Sequence, residues 1–176
     1  MADDELIEHA QSLLTRNAYL TLATVDADGR PWTTPVYFAA DGLTDFYWVS
    51  SPEARHSRNL AAQPAVSLVV FDSTVRPYHG RALYADGTAN EIGPDELEPG
   101  LRTYPGPVER GGAALTAADV TGAAPWRLYR ARATQVWALC PRPPRQACPR
   151  HGRTDDHRVQ IEVPAGNRLG ATTEPG

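Results

Sequence analysis

The segment from Phe46 to Phe71, FYWVSSPEARHSRNLAAQPAVSLVVF, admits few folds. It opens with Phe46, Tyr47, Trp48 and Val49, aromatic and β-branched residues that pack well on a pleated surface. It closes the same way, from Ala65 to Phe71. The room between suffices for one short helix. Ser51 is placed to cap that helix, Pro52 suits its first position, and Glu53 adds negative charge to the first turn. Arg55, His56 and Arg58 then cluster within it. Serine hydroxyls, a helix N-terminus and basic side chains are what a phosphate monoester needs. A capped surface helix with solvated arginines would present the same residues.

The flanking sequence supplies more strands. Ala2 to Asn17 has Leu6, Ile7, Ala10, Leu13 and Leu14 at helical spacing, which predicts an amphipathic helix covering one end of a sheet. Ala18 to Val25 predicts a first strand, and the Asp28-Gly29 pair a turn. Arg30 to Phe38 predicts a second strand. Pro31 and Pro35 lack ladder donors, so each marks an edge, a bulge or a strand end, and unpaired backbone there can meet a flat polar ligand. Ala39 to Gly42 reads as a second turn. Arg81 to Ile92 reads as a strand in which Gly87 marks a bulge or a barrel corner. A helix started at Pro94 is expected to stop at Pro99-Gly100. Trp126 to Leu139 alternates as a long final core strand, and Arg158 to Val163 as a short one. Strands in sequential order with tight turns predict a mainly β (α+β) fold, a six-stranded antiparallel barrel with peripheral helices. The division expected is a barrel domain over residues 1–140 and a Pro- and Arg-rich extension over 141–176, its last dozen residues mobile.

A net charge of −4 argues against a broad basic face for nucleic acid. No apolar run reaches the roughly 18–20 residues that span a bilayer. The acidic start MADDELIEHA lacks the apolar core of a secretory signal, and two late cysteines form no disulfide framework, so the expected location is cytoplasmic. All 17 basic side chains are arginine. With no lysine, Schiff-base chemistry is excluded, and an anion must be held by arginine, histidine or backbone amides.

Cys140, Cys148, His151 and His157 could be drawn as a metal site. Their Cys-x7-Cys-x2-His spacing matches no common zinc pattern, so an incidental role and no metal are expected, with melting insensitive to chelators. Nucleophile elbows, Walker loops, dinucleotide glycine fingerprints and HExxH are absent.

The succession ATVDADGRPWTTPVYF, DFYWVSSPEARHSRNLAAQPAVSLVVF and GTANEI resembles the pyridoxamine 5′-phosphate oxidase-like, FMN-binding split-barrel family, over roughly Tyr19 to Ile92. The resemblance implies a six-stranded split barrel and a homodimer with FMN in a groove between subunits. It would place Trp32, Thr33, Thr34, Pro35 and Val36 along the isoalloxazine and ribityl chain, and Trp48, Ser50 and Ser51 beside the ribityl phosphate. Arg55 and His56 match the family's basic pair at that phosphate. The residues after Cys140 do not match the Trp- and Arg-bearing segment with which true pyridoxamine phosphate oxidases hold the vitamin. The implied activity is therefore a general flavin oxidoreductase, with hydride transfer at flavin N5 and no side chain as nucleophile. Alternatives are a deazaflavin-coenzyme-dependent reductase and a non-catalytic flavin- or haem-binding carrier or sensor.

Overall fold

A computed structural model describes residues 2–162 of the 176-residue chain. Helix α1 (Ala2–Arg16) is followed by strands β1 (Tyr19–Val25), β2 (Pro31–Tyr37), β3 (Ala39–Asp41) and β4 (Asp45–Ser50). Helix α2 (Arg55–Ala62) leads into β5 (Ala65–Phe71) and β6 (Ala82–Glu91). Helices α3 (Pro94–Thr103) and α4 (Ala117–Val120) precede β7 (Arg127–Leu139) and the short β8 (Arg158–Gln160). The eight strands form one antiparallel sheet in the order β2-β1-β5-β6-β7-β4-β3, with β8 on the free side of β7. The sheet curls so that β2 approaches β4 without pairing with it, and this gap is the split in the barrel. Six long strands make the expected barrel; β3 and β8 are three-residue additions.

The alternation that predicted strands is the alternation of burial. Leu20, Leu22 and Thr24 of β1 point inward, as do Val66, Leu68 and Val70 of β5. With Phe38, Phe46, Trp48, Leu83 and Val136 they fill the barrel, and Leu6, Ala10, Leu13 and Leu14 of α1 close one end. A smaller cluster of Tyr47, Ile92, Val120 and Leu128 lies under α3 and α4. The bulge falls where Gly87 predicted it: the β6–β7 register shifts between Asp86 and Gly87. A Cβ on Gly87 would sit 2.1 Å from the Arg132 carbonyl oxygen, so only glycine lets β7 approach so closely.

Three local expectations are corrected. Ala39–Asp41 is a strand paired with β4, and the turn moves to residues 42–44. Helix α3 runs through Pro99, which forfeits one backbone bond. Gly100 holds the helix down, because its bare Cα packs where a Cβ would be 3.0 Å from Ile92 Cδ1 and Leu128 Cδ2. The helix expected to begin at Ser51-Pro52 begins at Arg55 instead, for reasons given below. Val163 and the tail expected to be mobile lie outside the described residues. Among the described residues no helix is long and apolar enough to cross a membrane.

Candidate functional site

Among the described residues strand β2 pairs with β1 alone, which leaves one edge open. Two hydrogen bonds fix which residues face that edge: Phe38 N–H donates to the Ala18 carbonyl (3.2 Å), and Asp26 N–H to the Arg30 carbonyl (3.0 Å). In an antiparallel ladder the bonded pairs alternate. Arg30, Trp32, Thr34 and Val36 therefore bond to β1, while Pro31, Thr33, Pro35 and Tyr37 turn their backbone groups outward. The two prolines stand where an N–H would have no partner, so they cost the sheet nothing. Thr33 supplies the one outward N–H between them, flanked by outward carbonyls.

The start of α2 lies beside this strand. Ser51 does not cap the helix. Its hydroxyl accepts from Glu53 N–H (3.1 Å), and Ala54 N–H donates to the Ser51 carbonyl (3.0 Å), so Pro52 and Glu53 are spent in a turn. Ala54 becomes the N-cap without a side-chain bond. The first helical bond is Arg58 N–H to the Ala54 carbonyl (3.0 Å). The amides of Arg55, His56 and Ser57 thus have no intrahelical acceptor and carry the positive end of the helix dipole.

Arg55 is the side chain that joins the two elements. Its guanidinium carbon lies 4.5 Å from the centre of the Trp32 ring, and Nη2 lies 3.5 Å from Asp26 Oδ2. Asp26 is itself anchored: its carboxylate accepts from the amides of Arg30 (2.9 Å) and Asp28 (3.0 Å). The Arg30 amide chiefly holds its pKa below the ordinary carboxylate value. Arg55 keeps 41% of its side chain exposed.

The other expected residues divide by burial. Trp32, Thr33 and Pro35 are exposed, and Thr34 and Ser51 half-buried. The side chains of Val36 and Trp48 are buried in the core; Trp48 is 0% exposed and stacks on Tyr129 with ring centres 5.8 Å apart. Ser50 and His56 are buried together, with His56 Nε2 2.8 Å from Ser50 Oγ. His56 therefore positions Ser50, and its burial disfavours the charged imidazolium. A second buried pair, Asn59 Nδ2 donating to Thr24 Oγ1 (2.9 Å), fastens α2 to β1. Asp26, Thr24 and Asn59 carry no signal in the sequence, because their roles come from the packing of α2 across β1.

Burial pushes the His56 pKa below its ordinary value. The folded protein then resists protonating a group that the unfolded chain protonates below about pH 6.5. Stability should be fully present above that pH and fall as pH drops through the window between the unfolded and folded values. His9, shifted the same way by burial and by Arg81, contributes to the same slope. Denaturation of wild type and His56→Gln at neutral and mildly acidic pH checks this: the variant should lose part of the acid sensitivity, and an unchanged slope would exclude His56 as its source.

A groove of about 500 Å³ runs over the outward face of the sheet, lined by Ala23, Val25, Pro31, Ala65, Ser67 and Thr88 among others. The ligand atoms of Cys140, Cys148, His151 and His157 all lie within 4.8 Å of one another. The fold thus brings together four residues that their spacing in the sequence did not connect.

The sequence matches the family described as pyridoxamine 5′-phosphate oxidase over residues 6–140. A pyridoxine/pyridoxamine 5′-phosphate oxidase from Streptomyces avermitilis is 32% identical over 98 residues, which cover 54% of this chain and 41% of that protein. The chain therefore spans less than half the length of this curated relative. Among solved structures, a haem-binding protein from Mycobacterium smegmatis superposes with a TM-score of 0.62 at 20% identity, covering 88% of this chain and 57% of that one. An F420 reductase superposes with a TM-score of 0.50 at 30% identity, covering 72% of this chain and 94% of that one.

Proposed function

Because the chain belongs to the pyridoxamine 5′-phosphate oxidase family of split barrels, we propose that it binds FMN across the open edge of β2 and the start of α2, and acts as a flavin oxidoreductase on a small substrate. The observation that carries this reading is the placement of Arg55, stacked on Trp32 beside helix amides that lack acceptors. The residues present fit the cofactor. Arg55, the first-turn amides and the Ser51 hydroxyl form a donor set for a phosphate. The outward Thr33 N–H, between outward carbonyls, offers a flat heterocycle a donor and acceptors in one row. Thr33 and Thr34 add hydroxyls along that row. Trp48, Val36 and the Ser50–His56 pair support this surface from beneath. FMN, when bound, supplies the two-electron redox chemistry, and no side chain here is needed as a nucleophile.

A deazaflavin coenzyme is the second reading, favoured by the 30% identity to an F420 reductase. A haem carrier is supported less. The histidine at this site is 7% exposed and its Nε2 is engaged with Ser50, which leaves it poorly placed as an axial ligand. The absorbance spectrum of the purified protein separates a flavin, a deazaflavin and a haem. Anaerobic reduction by a nicotinamide donor, followed by reoxidation with oxygen or a quinone, separates an enzyme from a carrier.

The site on one chain is open, and this supports a homodimer in which a second copy covers it. Tyr19, Trp32, Phe71 and Trp126 are large apolar side chains left exposed, and the outward groove is lined largely by small apolar groups. A two-fold interface of a standard 1,200–2,000 Å² or more would cover them. Light scattering at low micromolar concentration should report a dimer, and a monomer that still holds flavin would contradict the shared site.

A further inference from the structure

Cys140, Cys148, His151 and His157 sit at the base of the hairpin between β7 and β8, on elements that contribute nothing to the site above. Hairpin register explains why they meet. Leu139 pairs with Arg158, so Cys140 and His157 are the next residues outward on the two arms, and Cys140 N–H donates to the His157 carbonyl (3.0 Å). A tight turn brings in the other two. Gly152, at φ +65°, donates its N–H to the Cys148 carbonyl (2.8 Å), and Cys148 N–H donates to the Arg153 carbonyl (2.7 Å). That turn folds His151 back over Cys148.

Four of the six ligand–ligand distances approach the edges of a coordination tetrahedron, and all six lie within 4.8 Å. The two sulfurs are 3.5 Å apart, His151 Nδ1 is 3.6 and 3.4 Å from them, and His157 Nε2 is 3.0 Å from His151 Nδ1. Zinc bonds of about 2.3 Å to sulfur and about 2.0 Å to nitrogen, at tetrahedral angles, require edges of about 3.8 Å (S–S), 3.6 Å (S–N) and 3.3 Å (N–N). A disulfide would hold the sulfurs at about 2.05 Å. The supporting contacts suit a metal. His157 Nδ1 is 3.1 Å from the Asp155 carbonyl, which fixes the ring with Nε2 free as a ligand. The loop also has no other interior. From 141 to 157 the buried residues are Cys148 and His157, both members of the cluster. A segment of proline, arginine and glycine has no apolar core with which to hold this shape, and a metal supplies one.

We infer that these four side chains hold one Zn²⁺ in a closed tetrahedral site that fastens the loop of residues 141–157 to the end of β7. Four protein ligands leave no open position, so the role is structural. Two thiolates with two imidazoles select zinc over calcium or magnesium. Ile161, just past β8, packs in the main barrel core, so the ion also secures a strand that closes the barrel's outer flank.

The test uses the full chain. Protein purified without chelator should contain one Zn²⁺ per chain by elemental analysis, and removing it should lower the melting temperature. Co²⁺ in its place should give thiolate-to-metal charge transfer and the strong d–d absorption of a tetrahedral ion. Cys148→Ser should abolish the charge-transfer band of that thiolate. It should also weaken the metal by more than the roughly 10–100-fold that loss of an outer-shell partner costs. His151 is exposed, so His151→Gln should fold and still lose affinity, which keeps the test sound if Cys148→Ser does not fold. The proposal is overturned by zinc-saturated protein holding well under one equivalent, by a weak octahedral cobalt spectrum, by a Cys140–Cys148 disulfide in the native protein, or by variants that bind as wild type does.

Discussion

Trp48→Ala is expected to lower the free energy of unfolding by about 3–5 kcal/mol, the usual cost of emptying a large aromatic site in a core. Trp48 is fully buried and its ring lies 12° from parallel with Tyr129. It stands on β4, which is covered on both faces: Phe46 and Trp48 enter the barrel, while Tyr47 enters the cluster under α3. Little around it can collapse into the space, because the strands on either side, β7 and β3, are fixed by their ladders. The indole Nε1 has no hydrogen-bond partner among the described residues, so the loss is one of packing and not of a polar contact. For a chain of this size each kcal/mol moves Tm by about 2–4 °C, giving a fall of roughly 6–20 °C. Thermal and denaturant unfolding measure it. A cost under about 1 kcal/mol, with a large loss of flavin affinity, would return Trp48 to the ligand.

Arg55→Ala is expected to weaken FMN by about 10- to 150-fold, because a hydrogen bond to a charged group contributes about 1.5–3 kcal/mol net. Riboflavin, which lacks the phosphate, should be little affected. The guanidinium is held before any ligand arrives, by the Trp32 face at 4.5 Å and by Asp26 at 3.5 Å. An arginine so placed loses little freedom on binding and still presents paired donors. Arg55→Lys should recover only part of the affinity, since an ammonium offers neither the planar stack nor the fork. Arg58 is the control. Its guanidinium is 60% exposed but folds back to donate to the Glu53 carbonyl, a contact that occupies it within the turn. Arg58→Ala should cost far less. Equal losses of FMN and riboflavin in Arg55→Ala would mean that the residue supports the fold, and a larger effect at Arg58 would move the anion to the turn.

The barrel was legible because a half-buried strand writes its burial into alternation. Tyr19–Val25, Ala65–Phe71 and Arg127–Leu139 lie within a residue of where the pattern places them, and Gly87 marks the bulge. Elements whose formation depends on distant partners were not legible. Ala39–Asp41 is a strand only because β4 lies beside it, and Pro99 stays inside a helix only because Gly100 packs on Ile92 and Leu128. At the site, the exposed edge of β2 followed from Pro31 and Pro35, and Arg55 from its place in a short helix. Trp48 and Trp32 look alike as strand aromatics. What separates them is that β4 is interior to the sheet and β2 is its edge. The four sulfur and imidazole ligands meet through the β7–β8 register and one glycine turn, neither of which appears in a spacing rule.

Titration of the apo-protein with FMN and with riboflavin, followed by calorimetry or flavin fluorescence, tests the central claim most directly. The account predicts stoichiometric binding of FMN, with riboflavin weaker by the contribution of the phosphate, roughly 10-fold or more. Equal affinity for the two ligands, or no binding of either, would contradict a phosphate site at Arg55 and the start of α2.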